Sequence, residues 1–494
     1  MRRLALLASL VLAGPSPLAG QDYLLRLDAQ LQTASYRGVE EDSIPASQVV
    51  TGSTGGPQTP SGFAVTCTSG SSECIYFRPG AQIHSGPFVT TADLTAWGFG
   101  VRGLSLHANA RLGVDLGTAN AWPGTEPAVQ LLEGYAEYAG QRLDARLGRQ
   151  AEQSRLGYYG FDGGRISYRL PLTGFNVIGY LGLGLAQGIA LPVTSGALNP
   201  LDNWQPEERQ ILAGAALEYE GSFLDVRADY EREVDRPTHN FVSERAALSA
   251  TLRPIRGWSL VGGADYDLGR AQWGSADLSL RHTEAWIGGS VGVRRYQPYF
   301  DLWTIWGVFS PVGYSATNGT IWVTPVHGLT VRAGGERYWY ADAGVVTPLV
   351  SNTTDGWRWN AGATLLVTRD FTVDGGYQAE FGSGAASRGW DGSASWRPAG
   401  PLTLTLSGGQ VTRPLEFRYD AASVYWYGVS ADARAGERLR FRFGLTRYDE
   451  DRSRPDAAAF DWNQMRLQAG ISWLFGSNAD FLPLPPAIPR EGRR

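Results

Sequence analysis

The chain has 494 residues, a net charge of −5 and a pI near 5.7, a balance that excludes nucleic acid as a partner because phosphate binding needs a concentrated basic face. Its 43% hydrophobic and 18% charged residues exclude a disordered polymer and a helical membrane protein alike. Glycine supplies 63 residues and tryptophan 17, more tryptophan than a soluble core spends, and consistent with aromatic girdles at two lipid–water boundaries.

Arg2 and Arg3 precede the apolar run from Leu4 to Gly14, and Pro15, Pro17, Ala19 and Gly20 end it. This is the layout of a secretion signal, expected over residues 1–20. No later run approaches the roughly 18 apolar residues of a membrane helix. A first strand is expected at 23–36, followed by a long segment, 37–89, that holds the only two cysteines. Cys67 and Cys74 lie in a Gly/Ser/Thr-rich stretch. In an exported chain they are most simply a disulfide, with a metal or redox pair as the alternative. The segment is long enough to plug a lumen or to cover it from outside.

From there, short stretches alternate apolar and polar residues, the mark of strands with one face in lipid. Leu104, Leu106, Ala108, Ala110, Leu112 and Val114 alternate with Ser105, His107, Asn109, Arg111, Gly113 and Asp115. Strands are expected near 90–102, 104–116, 128–139, 141–150, 163–171, 174–184, 209–219, 222–233, 240–253 and 256–267. Between 271 and 310 the pattern admits three strands. Two of them, 284–296 and 298–309, keep short and long connections in phase, which leaves Asp277 to His282 as an extension outside the membrane. Further strands follow at 317–325, 328–341, 356–368, 370–381, 386–397, 401–413, 420–433, 437–449 and 461–475. Short connectors such as Ala139-Gly140 and Ala435-Gly436 alternate with longer ones that include 117–127, 151–162, 185–208, 342–355 and 448–460. Bacterial barrels place short turns in the periplasm and long loops outside, so both ends are periplasmic and the strand number is even. The fold expected is all-β: a transmembrane antiparallel up-and-down β-barrel over 21–475, with about 22 strands and a range of 18–24.

The last strand, Gln464 to Phe475, alternates and ends in Trp473, Leu474 and Phe475. It resembles the terminal-strand signal of Gram-negative outer-membrane proteins. That resemblance implies a place in the bacterial outer membrane among lipid and lipopolysaccharide, and the barrel-assembly machinery as a partner. Here a tail, 476–494, follows, with Pro483, Pro485, Pro486 and Pro489. It is expected to run extended in the periplasm, inert or touching cell wall or a periplasmic partner.

Chemistry is sparse. His84, His107, His239, His282 and His327 are far apart. His107 shares an inward face with Asp115, yet no serine stands in a nucleophile setting, so no enzyme activity and no cofactor are expected. Asp449, Glu450 and Asp451 with Asp456 and Asp461 are either a solvated outer loop or a calcium-holding one, without EF-hand spacing; no metal site is assigned. The polar faces are more informative. Arg111, Arg142, Arg146, Arg165, Asp225, Arg227, Asp229, Arg438, Arg440 and Arg442 are expected to line the interior. There they either satisfy one another across strands or set a field that selects solutes, with the 438–442 row favouring anions. There is no lysine, so these cations are all arginine, which keeps its charge in a narrow space.

The passage Arg146-Leu147-Gly148-Arg149-Gln150, with Gly157, Gly160-Phe161-Asp162-Gly163-Gly164 and Arg165 after it, resembles a stretch in porins and alginate-export-type channels. In those families a strand ending Gly-Arg-Gln leads through a loop to a strand with an inward arginine. The resemblance implies passive diffusion or export of small polar or anionic solutes or saccharides. The competing expectation is a structural or assembly-linked barrel of a larger envelope complex or adhesin. In that case aromatic groups such as Trp303, Trp306, Trp322, Tyr338, Trp339 and Tyr340 bind sugar or protein rather than anchor in lipid.

Overall fold

Once one face of a strand lies in hydrocarbon, no water reaches its backbone, and only a closed sheet pairs every N–H and C=O. The computed structural model of the chain shows that solution. It describes residues 22–52, 55–117, 129–171, 174–185, 210–236, 239, 241–297, 313–341, 355–382, 385–412, 422–452 and 463–476. The expected signal, 1–20, and nearly all of the tail, 476–494, lie outside these residues.

Twenty-two strands among the described residues form one closed antiparallel wall. In chain order they are β1 (Asp22–Pro45), β2 (Pro87–Trp97), β3 (Leu104–Asp115), β4 (Val129–Ala139), β5 (Leu143–Ser154), β6 (Gly157–Arg169), β7 (Phe175–Gly184) and β8 (Ile211–Glu220). Then come β9 (Leu224–Val234), β10 (Phe241–Leu252), β11 (Trp258–Asp267), β12 (Gln272–Thr283), β13 (Ile287–Tyr296), β14 (Tyr314–Val326) and β15 (Leu329–Tyr340). The wall is completed by β16 (Asp355–Thr368), β17 (Phe371–Gly382), β18 (Ala385–Ala399), β19 (Leu402–Thr412), β20 (Ala422–Ala435), β21 (Leu439–Arg452) and β22 (Asn463–Gly476). Each strand pairs with its sequence neighbours, and β1 closes on β22 from Leu24↔Gly476 to Ala34↔Arg466.

The outer face is apolar. Leu147, Val129, Leu406 and Val291 are each more than 60% exposed, an arrangement favoured when the surrounding medium is hydrocarbon. Rings border this band. Tyr138, Tyr168, Trp258, Trp286, Trp396 and Trp473 lie at the end carrying both chain termini, and Tyr230, Phe241, Trp273, Trp357, Trp390 and Tyr425 at the other. The terminal end has the short turns and is periplasmic; the opposite end faces out.

The structure corrects two boundaries. Asp277 to His282 is no extension outside the membrane but part of β12, paired with β11 and β13. The connection before it, 268–271, is a short turn on the outer side. The strand expected at 298–309 lies outside the described residues. The stretch 151–162 is not a long loop either, because β5 and β6 run through it and join at Arg155–Leu156.

Segment 37–89 is largely a ribbon. Beyond Ala34, β1 leaves β22 and pairs only with Glu73–Ser85, from Ala34↔Ser85 to Pro45↔Glu73. A short strand, Val65–Cys67, joins it, and Cys67 and Cys74 form a disulfide across the register. Ile44, Val65 and Cys74 are buried together beneath it. The Ser43 amide, the Tyr76 hydroxyl and Arg78 surround Asp42 and hold its carboxyl below the usual range.

Candidate functional site

Strands about 4.8 Å apart and tilted about 40° make a 22-strand circle of roughly 22 Å radius. Inward side chains alone do not fill such a bore. One hairpin narrows it. The pairing of β5 with β4 stops at Arg149↔Gly134, and that of β6 with β7 at Phe161↔Gly184. Past Gln150 and Gly160 the two strands pair with each other. The departure has a backbone cause: Gly148 has φ of +133°, and a Cβ there would lie 2.3 Å from the Gly134 carbonyl oxygen. Only glycine takes that bend without strain.

The freed tip crosses the interior to strands four to six places round the wall. Arg155 pairs with Asp277 of β12 at 2.5 Å. Arg245 of β10 donates to the Leu156 carbonyl at 2.8 Å and to the Tyr159 hydroxyl at 3.1 Å, and pairs with Asp265 at 3.3 Å. Glu152 is held at 2.8 Å both by Arg165 and by Arg227 of β9. Such contacts form only across the concave side, which identifies the charged face as the inner one. Phe161 is fully buried with Ile178, Tyr180, Leu212 and Ala216, an apolar footing where the hairpin leaves the wall.

Several residues singled out in the sequence meet around this hairpin. Arg146 pairs with Glu137 at 2.7 Å, and Arg165 reaches Asp144 at 3.4 Å. Arg227 is the hub: besides Glu152 it binds Glu218 at 2.5 Å and Asp229 at 2.7 Å, and the Asp229 side chain is only 4% exposed. Arg111 faces inward on β3 and bonds Gln130 at 2.6 Å. Asp225 sits at the periplasmic end with Arg253 and the Gly221 amide. Arg142 lies exposed in the periplasmic turn after β4.

The 438–442 row is not continuous in space. Arg438 lies in the exposed turn before β21. Arg440 pairs with Asp432 at 2.6 Å, and Arg442 approaches Asp28 at 3.5 Å and Ser472 at 3.0 Å. The residues that complete the constriction, Glu152, Arg155, Arg245, Asp265 and Asp277, were not singled out in the sequence. Their signal was the inward parity of Gln150, Glu152 and Ser154 continuing through a stretch taken as loop.

Charge is distributed unevenly around the bore. The wall from β8 to β12 carries Glu218, Asp225, Asp229, Glu231, Asp265, Asp267 and Asp277 on its inner face, against Arg227, Arg245 and Arg281. Eleven strands away, half the circumference, β20 to β22 and β1 present Arg434, Arg440, Arg442, Arg466 and Arg26 against Asp22, Asp28, Asp432 and Glu450. The first wall is therefore net acidic, whereas the second, richer in arginine, is close to balance. Elsewhere on the inner face, His107 bonds Glu137 and Ser105 through the same ring nitrogen, each at 3.1 Å, and Thr95 through the other at 3.2 Å. Asp115, its expected partner, instead accepts from the Gly86 and Gly117 amides. Trp322 and Tyr338, weighed above as anchors, sit on the inner face, where Tyr338 donates to Glu380 at 3.1 Å.

No family model matches the chain, and no curated protein matches it. Similar solved structures include the siderophore receptor PirA from Pseudomonas aeruginosa, with 12% identity, a TM-score of 0.42 and coverage of 91% of this chain and 80% of that one. A BenF-like porin from Pseudomonas fluorescens Pf-5 has 10% identity, a TM-score of 0.37 and coverage of 94% and 100%. OccD3 (OpdP) from Pseudomonas aeruginosa has 9% identity, a TM-score of 0.38 and coverage of 94% and 93%. By its own wall, register and lipid-facing band, the chain is a closed 22-stranded antiparallel β-barrel of the bacterial outer membrane.

Proposed function

We propose that this barrel is a porin-like channel that lets small polar solutes diffuse across the outer membrane, with no catalytic step. The observation that carries the reading is the 151–160 hairpin, held inside the bore by ion pairs to β9 and β12 and by hydrogen bonds from Arg245 of β10. A purely structural barrel has no need for a charged strut inside its lumen. An aqueous conduit needs one, because a bore of this width selects nothing until it is narrowed. Acidic and arginine-bearing walls facing each other orient dipolar and hydroxylated solutes, so saccharides and small zwitterions are the favoured cargo. A marked anion preference loses its main support, since Arg440 and Arg442 each have an acidic neighbour.

Swelling of liposomes containing the purified protein, in sugars and amino acids of increasing size, tests this. Rapid swelling in monosaccharides, slowing as solute size approaches the width the hairpin leaves, is the expected result. Swelling no faster than in protein-free liposomes would exclude a channel.

A further inference from the structure

The lipid-facing surface is recessed on β10 and β11. On β10 and β11 the outward positions carry Ala246, Ala250, Gly262 and Ala264, where most of the wall carries larger side chains. Leu248 and Leu278 stand up beside them, 51% and 49% exposed. Together they form an open groove of about 640 Å³ that runs the height of these strands, with Leu252 and Leu260 at its periplasmic end and Tyr266 and Trp273 at its outer mouth. From Ala246 to Leu252 is about 20 Å of strand, somewhat more than half of a hydrocarbon core of roughly 30 Å.

A cation stands beside the groove. The register places Leu248, Ala264, Ala276 and Arg295 in one row across β10 to β13, so Arg295 lies two strands, about 10 Å, from the groove floor. Arg295 is on the outer face, one residue from the outer end of β13, exposed and without a partner among the described residues. The nearby outer-face acid, Glu244, is engaged by Tyr230 at 2.5 Å. An unpaired arginine at the edge of the lipid band extends to the headgroup level and seeks an anion there. Two copies of this surface brought face to face would juxtapose two such arginines, which disfavours a second copy as the occupant.

We infer that the groove is a binding site for a phosphorylated acyl glycolipid of the lipid A type in the outer leaflet, one acyl chain lying on the Ala246–Ala250–Ala264 floor and a headgroup phosphate on Arg295. The site lies outside the bore and does not depend on whether the bore conducts.

The test uses the full-length protein, stripped of lipid by detergent exchange and titrated by native mass spectrometry. The probes are bisphosphorylated lipid A, its dephosphorylated form and phosphatidylglycerol. Heat-modifiable gel migration confirms that each variant is folded. Ala250→Phe fills the groove and is expected to weaken lipid A binding about tenfold or more, while Arg295→Ala weakens the phosphorylated probe about tenfold, as loss of one charged hydrogen bond predicts, and leaves the dephosphorylated probe unchanged. Ala246→Leu narrows the same floor from two pleat repeats away and serves if Ala250→Phe does not fold. Undiminished lipid A binding in a folded groove-filling variant would overturn the proposal. So would phosphatidylglycerol binding as tightly as lipid A, or a dimer that the groove-filling variant dissociates.

Discussion

Removing the strut is the perturbation that bears most directly on how the bore is narrowed. Gln150 and Phe161 are register partners, so replacing 151–160 with Asn-Gly closes β5 and β6 with a two-residue turn at the point where they leave the wall. With inward side chains occupying about 6 Å of a roughly 22 Å radius, the open radius is about 16 Å and the area roughly 800 Å². A hairpin about 10 Å wide extending six residues, about 20 Å, obstructs on the order of 200 Å² of it, a quarter. Single-channel conductance in 1 M KCl is therefore expected to rise by up to about a third, approaching that value as the hairpin level dominates the series resistance. The exclusion limit in liposome swelling rises with it. Unchanged conductance in a variant that inserts and shows heat-modifiable migration would refute the idea that this hairpin sets the width.

Other outcomes follow from individual contacts. Arg227→Ala strands Asp229, whose side chain is 4% exposed, and leaves Glu152 with Arg165 alone; breaking such a buried network lowers the unfolding free energy by about 3 kcal/mol, read in urea by tryptophan fluorescence, and shifts the reversal potential toward cations. Arg440→Ala leaves Asp432 without its arginine neighbour and shifts reversal potential the same way, Arg442→Ala does so less because Asp28 keeps Arg26 at 2.6 Å, and Arg438→Ala, in the exposed turn, leaves it near the wild-type value. Replacing Cys67 and Cys74 with serine removes a short-loop staple worth about 2.5 kcal/mol. Proteolysis should then become faster within 45–73 while the barrel's thermal transition stays in place. Asp42 has a folded pKa below its unfolded value, so its stabilisation is complete above about pH 4 and is lost as pH falls through the folded value. Amide exchange in the ribbon should accelerate only under such acid, and Asp42→Asn should abolish that dependence.

The wall was legible because lipid on one side and water on the other impose a period of two on every strand, as in β3 and β21. Where the structure departs from the sequence reading, a weaker rule had overridden that period. Ala276, Leu278 and Leu280 alternate cleanly with Asp277, Ser279 and Arg281, yet the expectation that outer connections are long removed β12 from the wall. The turn 268–271 is short, and alternation prevails. The hairpin 151–160 escaped for the opposite reason. Once Gly148 turns it off the wall, neither face needs to be apolar, so its residues look like an ordinary polar loop. Among the interior residues, parity identified Arg146, Arg165, Arg227 and Asp229, because an inward side chain is fixed by its own strand. It was silent on Arg155, Arg245 and Asp277. Their meeting depends on strands far apart in sequence, and no local pattern encodes which wall a folded-in tip will reach.

The central claim is that the interior is an open, charge-lined conduit. Single-channel recording of the unmodified protein in a planar bilayer tests it most directly. Discrete stepwise insertions of constant conductance, with a reversal potential that moves under a salt gradient, are the predicted result. Insertions verified by protease protection that carry no current would contradict it.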